Sequence, residues 1–151
     1  MTLSNFDKEL LNILQEHLPI SKRPFAEIAK KLNVSEEKVL NRIKELKEAG
    51  YLRRIGAFFD SNKLGYTGTL IALRVDEDKL PKVANRVNQE VCVTHNYERE
   101  GKFNLWFTLL SPNIEYENSF LSEIKSLEGV KDMLNLKAKR KYKINVAFEL
   151  R

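Results

Sequence analysis

The apolar residues of this chain change period near residue 60. Before that point they recur at helical spacing. Phe6, Leu10, Leu11, Ile13, Leu14 and Leu18 form one stripe, with Ser4 or Asn5 placed to cap its start. Pro19 and Pro24 bracket a break, and Phe25, Ile28, Ala29 and Leu32 mark a second, short helix ending near Asn33. Ser35 ahead of Glu36, Glu37 and Lys38 reads as a cap with an acidic first turn. Val39, Ile43 and Leu46 then give a third buried stripe, closed by Gly50 in a left-handed conformation. Tyr51 to Asp60 is strand-like, so residues 1–60 predict a winged helix-turn-helix: three helices and a β-ribbon.

Beyond residue 60 strands and helices alternate. Leu70 to Val75 reads as a strand, and Asp78 to Gln89 as a helix with Leu80, Val83, Ala84 and Val87 on one side. Val91 to Arg99 and Phe103 to Leu110 read as a hairpin turning at Glu100-Gly101-Lys102. After Pro112-Asn113, Phe120, Leu121, Ile124 and Leu127 mark another helix, and Val130 to Leu150 supplies one or two extended segments. The order βαββαβ predicts a ferredoxin-like domain over residues 61–151, with both helices on one sheet face. The fold class is α+β.

Composition narrows the function. With 42% hydrophobic and 31% charged residues, the 151-residue chain reads as globular, and its apolar runs are strand-sized rather than the ~20 residues of a membrane helix. The start lacks a signal pattern, which makes a cytoplasmic protein the expectation. Cys92 is the sole cysteine, excluding an internal disulfide or a cysteine-based zinc site. His17 and His95 are too few for a His-rich metal centre. The net charge of +5 divides into +2 over residues 1–60 and +3 beyond. An anionic partner is favoured, but neither half is a basic module.

Phe25-Ala26-Glu27-Ile28-Ala29 through Glu48-Ala49-Gly50-Tyr51-Leu52 resembles the DNA-binding half of the Lrp/AsnC transcription regulators. The third helix departs from that use. Lys38, Arg42, Lys44 and Lys47 are balanced by Glu36, Glu37, Glu45 and Glu48, and two carboxylates stand at the turn that would enter a major groove. Duplex binding leans on phosphate neutralisation, so DNA is not the expected partner.

Three further stretches resemble the siroheme decarboxylases and the related proteins of haem d1 biosynthesis. They are Leu52-Arg53-Arg54-Ile55-Gly56-Ala57; Val93-Thr94-His95-Asn96-Tyr97-Glu98-Arg99 with Phe103-Asn104-Leu105-Trp106-Phe107-Thr108; and Lys141-Tyr142-Lys143-Ile144. The resemblance implies a non-oxidative decarboxylase that removes two acetate carboxyl groups of siroheme, giving 12,18-didecarboxysiroheme on a route to haem or haem d1. It also implies pairing with a paralogous subunit. The alternatives are an Lrp/AsnC-type regulator and a tetrapyrrole-binding partner subunit without turnover of its own.

Siroheme is a flat macrocycle edged by carboxylates, and its site needs an apolar or aromatic wall with cations at the rim. Alternation from residue 135 onward sets Asn135, Lys137, Lys139, Lys141 and Lys143 on one side, and Leu136, Ala138, Arg140, Tyr142, Ile144 and Val146 on the other. On the hairpin, Val91, Val93, His95, Tyr97 and Arg99 are expected on one face. A two-residue turn sets Asn104, Trp106 and Thr108 against them, and a three-residue turn sets Phe103, Leu105 and Phe107 there. Arg53 and Arg54 alternate, so one of them is expected to reach the ligand as a carboxylate clamp.

The expected roles follow. Arg53 or Arg54, Arg99, Arg140 and Lys143 hold non-reacting carboxylates, Asn104 and Trp106 complete the substrate site, and His95 donates the proton, with Tyr97 orienting it or donating instead. Axial ligation of the tetrapyrrole iron is the rival role for His95. The ring is its own electron sink, so no cofactor is required; bound haem is left open, and the protein contributes no metal site. His17 reads as a surface residue compensating a helix dipole, and Cys92 as a small buried hydrophobe. An apolar side of the sheet left wet predicts a homodimer or heterodimer.

Overall fold

Helix α1 (Asn5–Glu16) begins at a reciprocal cap, in which the Ser4 hydroxyl accepts from the Asp7 amide at 3.2 Å and the Asp7 carboxylate accepts from the Ser4 amide at 2.8 Å. Helix α2 (Pro24–Lys31) follows the proline break and gives way to Asn33, whose φ is +53°. Helix α3 (Glu36–Glu48) is capped by Ser35, which accepts from the Lys38 amide, and ends at Gly50 with φ +81°. Leu10, Ile28, Ala29, Val39 and Leu46 are buried between the three helices, with Phe6, Phe25, Ile43 and Leu52 packed around them.

The computed structural model describes residues 2–16, 18–57, 59–140, 142, 143, 148 and 150. The chain divides into two compact units, Met1–Ala57 with Lys143–Arg151, and Phe58–Tyr142. The tail thus groups with the helices of the first unit. The Gln15 side chain donates to the Phe148 carbonyl at 2.6 Å and accepts from the Phe148 amide at 3.0 Å, and Asn12 donates to the Leu150 carbonyl.

Two sequence expectations change here. The ribbon expected over Tyr51 to Asp60 has no ladder among the described residues. A strand exists through the neighbour that takes its backbone hydrogen bonds, and none is paired with this stretch there. Among the described residues, strand pairing on β4 (Val130–Lys137) also stops at Lys137, so alternation does not fix the faces of those beyond it. Lys141, Ile144 and Val146 of that expected segment, and His17, lie outside the described residues.

The second unit has the predicted order. Strand β1 (Thr67–Val75) leads to helix α4 (Leu80–Asn88); strands β2 (Val93–Glu98) and β3 (Leu105–Ser111) form the hairpin; helix α5 (Ile114–Ser126) precedes strand β4 (Val130–Lys137). The antiparallel sheet runs β2-β3-β1-β4. One of its faces carries Ile71, Leu73, Val75, Leu105, Phe107 and Leu109 against Leu80, Val83, Val87, Phe120, Leu121 and Ile124 of the helices. Cys92 packs at the edge of this core as a partly buried apolar residue, as predicted.

Glu117 of α5 lies inside this layer, 1% exposed. It accepts from Asn135 at 2.8 Å and pairs with Lys137 at 3.1 Å. Lys137, itself half exposed, is therefore the counter-ion of a buried carboxylate, and the first member of the lysine stripe expected from alternation is engaged by the protein itself.

Candidate functional site

The second sheet face is built by register. Across the hairpin His95 stands opposite Thr108, Asn96 opposite Phe107 and Tyr97 opposite Trp106, and the Arg99 amide donates to the Asn104 carbonyl at 3.0 Å. The facing set is therefore Asn104, Trp106 and Thr108, one of the two sets the sequence allows. The connection is Glu100 to Phe103, longer than either predicted turn, with Gly101 at φ +124°.

A β-bulge alters the parity of β2. Val93 pairs with Leu109, yet His95 pairs with Thr108, so Thr94 is an extra residue. Val93 consequently packs on the helix-covered core, while His95 and Tyr97 emerge on the open face. The shared face expected for Val91, Val93 and His95 is corrected accordingly; Val91 precedes the strand and is exposed. Asn96 turns inward, donating to the Ala84 carbonyl and to Asn88 of α4.

The rows continue across the sheet. His95 and Thr108 align with Leu70 and Leu136, and Tyr97 and Trp106 align with Ala72 and Leu134. Leu70, Leu134 and Leu136 are each about two-fifths exposed, at 40%, 38% and 42%, while Ala72 is fully buried between its neighbours. The result is an apolar and aromatic surface with an imidazole and a phenol on its edge strand. The His95 and Tyr97 rings lie 6.1 Å apart at an interplanar angle of 25°. The Trp106 indole donates to the Phe103 carbonyl at 2.7 Å, and the Arg99 guanidinium sits 5.8 Å from its ring.

Other sequence-predicted residues fall elsewhere. Both polar atoms of the Asn104 amide engage the Val75 backbone, accepting at 2.9 Å and donating at 2.8 Å, so the side chain braces the hairpin against the end of β1. Arg140 lies past the end of β4, 5.9 Å from the Tyr142 ring. Arg53, Arg54 and Lys143 are exposed residues of the first unit. The sequence points to no role for Thr94 and does not bring out the aliphatic rows, whereas Thr108 stands in the facing set that a two-residue turn predicts. The signal for the rows is in β1, where Thr69-Leu70-Ile71-Ala72-Leu73 is apolar on both faces, a pattern of strands covered on both sides.

A cleft of about 730 Å³ opens at the turn end of the hairpin, lined in part by Glu77, Glu98, Arg99 and Glu100. Three carboxylates around one guanidinium make this cleft a poor fit for an anionic guest. No group of three or more metal-ligating side chains occurs among the described residues, and no described helix is long and apolar enough to cross a membrane.

The perturbed ionisable groups are structural. Arg42 hydrogen bonds hold the Asp7 carboxyl well below the usual carboxylate range against the opposing effect of burial. Burial first, and then the Glu90 side chain, push the Tyr116 phenol up on the helix side of the second unit. On α3, Arg42 is taken up by Asp7 and Glu45, and Glu36 pairs with Arg23 at the start of α2.

Comparison with known proteins fits this geometry. Residues 7–53 match the "Siroheme decarboxylase NirDL-like HTH domain" and residues 63–143 the "AsnC-like ligand binding domain". The chain is 42% identical over 148 residues to the "Siroheme decarboxylase alpha subunit" of Desulfovibrio desulfuricans, covering 98% of this chain and 85% of that protein. It is 39% identical, with a TM-score of 0.69, to the crystal structure of "the siroheme decarboxylase NirDL in co-complex with iron-uroporphyrin III analogue"; the match covers 94% of this chain and 48% of that one. The structure of Escherichia coli AsnC, 19% identical with a TM-score of 0.82 and covering 97% and 99% of the two chains, shares the fold.

Proposed function

The chain belongs to the siroheme decarboxylase family of AsnC-like proteins, and we propose that it acts as a subunit of the carboxy-lyase that converts siroheme to 12,18-didecarboxysiroheme on a route to haem or haem d1. The observation that carries this reading is the hairpin register. It gives an imidazole, a phenol and an indole one common face, continuous with an aliphatic sheet surface.

Each acetate loses the bond between its methylene and its carboxylate. Carbon dioxide leaves, the bonding pair enters the conjugated ring, and a proton added to the methylene carbon leaves a methyl group. The ring takes up the electrons, so no further cofactor is needed. The protein orients the carboxylate, excludes water and supplies the proton. His95 is the proton donor in this reading, with Tyr97 beside it to orient the ring, Trp106 as platform and Arg99 as a clamp for a non-reacting carboxylate. Arg53, Arg54, Arg140 and Lys143 are further candidate clamps.

The sheet face also serves assembly. We assign its aliphatic part, Leu70 on β1 with Leu134 and Leu136 on β4, to pairing with a second such unit, a copy of this chain or a paralogue, and its β2–β3 edge with His95, Tyr97 and Trp106 to the macrocycle. The matched relative from Desulfovibrio desulfuricans is named as an alpha subunit, and the NirDL chain is about twice as long as the segment matched here. A cytoplasmic setting completes the reading.

The test is anaerobic incubation of the chain with siroheme, alone and with its paralogue, followed by mass. Loss of two carbon dioxide units is expected. Tight binding without mass loss under both conditions moves this chain to the tetrapyrrole-binding partner role. His95→Ala is expected to retain siroheme with unchanged absorption and to lose turnover by about 10²-fold or more. A shifted spectrum with retained turnover makes His95 the axial ligand instead.

A further inference from the structure

Resting on the role proposed for His95, we infer that Thr94 is a positioning residue that fixes which imidazole nitrogen is presented to the substrate. In a regular strand, neighbouring side chains leave on opposite faces and a threonine does not serve the histidine that follows it. The bulge removes that constraint. Thr94 is the residue without a cross-strand partner, and its Oγ1 lies 3.1 Å from His95 Nδ1.

The chemistry of the hydroxyl suits a proton-carrying ring. A threonine O–H both donates and accepts, whereas a carbonyl or carboxylate only accepts. When the imidazole is charged, Nδ1–H donates to Thr94 Oγ1. When it is neutral and carries its proton on Nε2, the Thr94 hydroxyl donates to Nδ1. One contact therefore serves both protonation states, and Nε2 remains the outward nitrogen throughout. The stacked Tyr97 ring, 6.1 Å away, limits the imidazole from the other side along the strand.

Thr94→Val and Thr94→Ser separate this from a packing role, since valine keeps the β-branched shape and serine keeps the hydroxyl. The ligand-free chain, labelled with nitrogen-15 in its histidines, gives two imidazoles, His17 and His95, which a His17→Gln variant assigns. The His95 nitrogens are expected to report a single ring state with Nδ1 engaged in the wild type and in Thr94→Ser, and mixed tautomers in Thr94→Val. With siroheme and the paralogue present, Thr94→Val is expected to lower kcat about tenfold with KM within about twofold, and Thr94→Ser to stay near wild type. Unchanged His95 nitrogens in Thr94→Val overturn the inference whatever turnover does. Altered nitrogens with unchanged kcat overturn it too, while leaving the decarboxylase reading standing. A wild type that releases no carbon dioxide removes that reading, and the inference with it.

Discussion

Arg42 grips Asp7 with two nitrogens, Nε to Oδ1 at 2.6 Å and Nη2 to Oδ2 at 2.8 Å, tying the middle of α3 to the first turn of α1. Asp7 is fully buried there and also receives both the Ser4 amide and the Ser4 hydroxyl. Asp7→Asn keeps the shape and loses the charge. Hydrogen bonds to charged groups are worth ~1.5–3 kcal/mol, and a loss of about 2 kcal/mol is expected by urea unfolding. The folded carboxyl titrates below its unfolded counterpart, so protonation favours the unfolded chain. The contribution is complete above the unfolded pKa of about 4 and disappears as pH falls beneath it. Wild type should lose stability on acidification through that window more steeply than the variant; parallel curves would contradict the assignment.

The same ion pair bears on DNA. Arg42 and Lys44 on α3 both have carboxylate neighbours, in Asp7, Glu45 and Glu48, and Glu36 and Glu37 head the helix. Fluorescence anisotropy with a labelled duplex should show no saturable binding at 50 mM or 200 mM salt. A steep loss of affinity between the two, with a slope of several released ions, would restore the regulator reading.

Glu117 anchors β4 from inside the helix layer. Glu117→Ala leaves Lys137 and Asn135 without their partner and is expected to destabilise the chain by about 2–3 kcal/mol. Glu117→Gln retains an acceptor for Asn135 and should cost less. Equal losses for the two would mean that the charge on Lys137 plays no part.

Leu134 tests the covered-face assignment. It sits in the row of Ala72, Trp106 and Tyr97, and Leu134→Asp puts a carboxylate where pairing requires apolar contact. Light scattering at micromolar concentration should find wild type as a dimer and the variant as a monomer. A monomeric wild type, measured alone and with its paralogue, removes the pairing.

How much of this could be read in advance differs by element. The helices were legible because period and caps are local: Ser35, Gly50 and the Val39-Ile43-Leu46 stripe all do what their spacing says. The hairpin was legible as a pair, and its facing set was one of the two readings. The bulge was not, because Val-Cys-Val-Thr-His carries no glycine or proline to announce an extra residue. Among the described residues past Lys137, alternation assigns no faces for a related reason. A period of two reports side-chain parity, but only a neighbouring strand makes a ladder, and the pairing with β1 ends at Lys137. The sequence makes Asn104 look like a ligand contact, since nothing local marks a side chain that folds back onto Val75, 29 residues away.

The return of Phe148 and Leu150 to Gln15 and Asn12 sets an order of assembly on the ribosome. Residues 58–142 are contiguous and able to organise while synthesis continues, whereas the helical unit waits for its closing contacts until residue 150 has left the exit tunnel. The segment translated first is thus among the last to be completed.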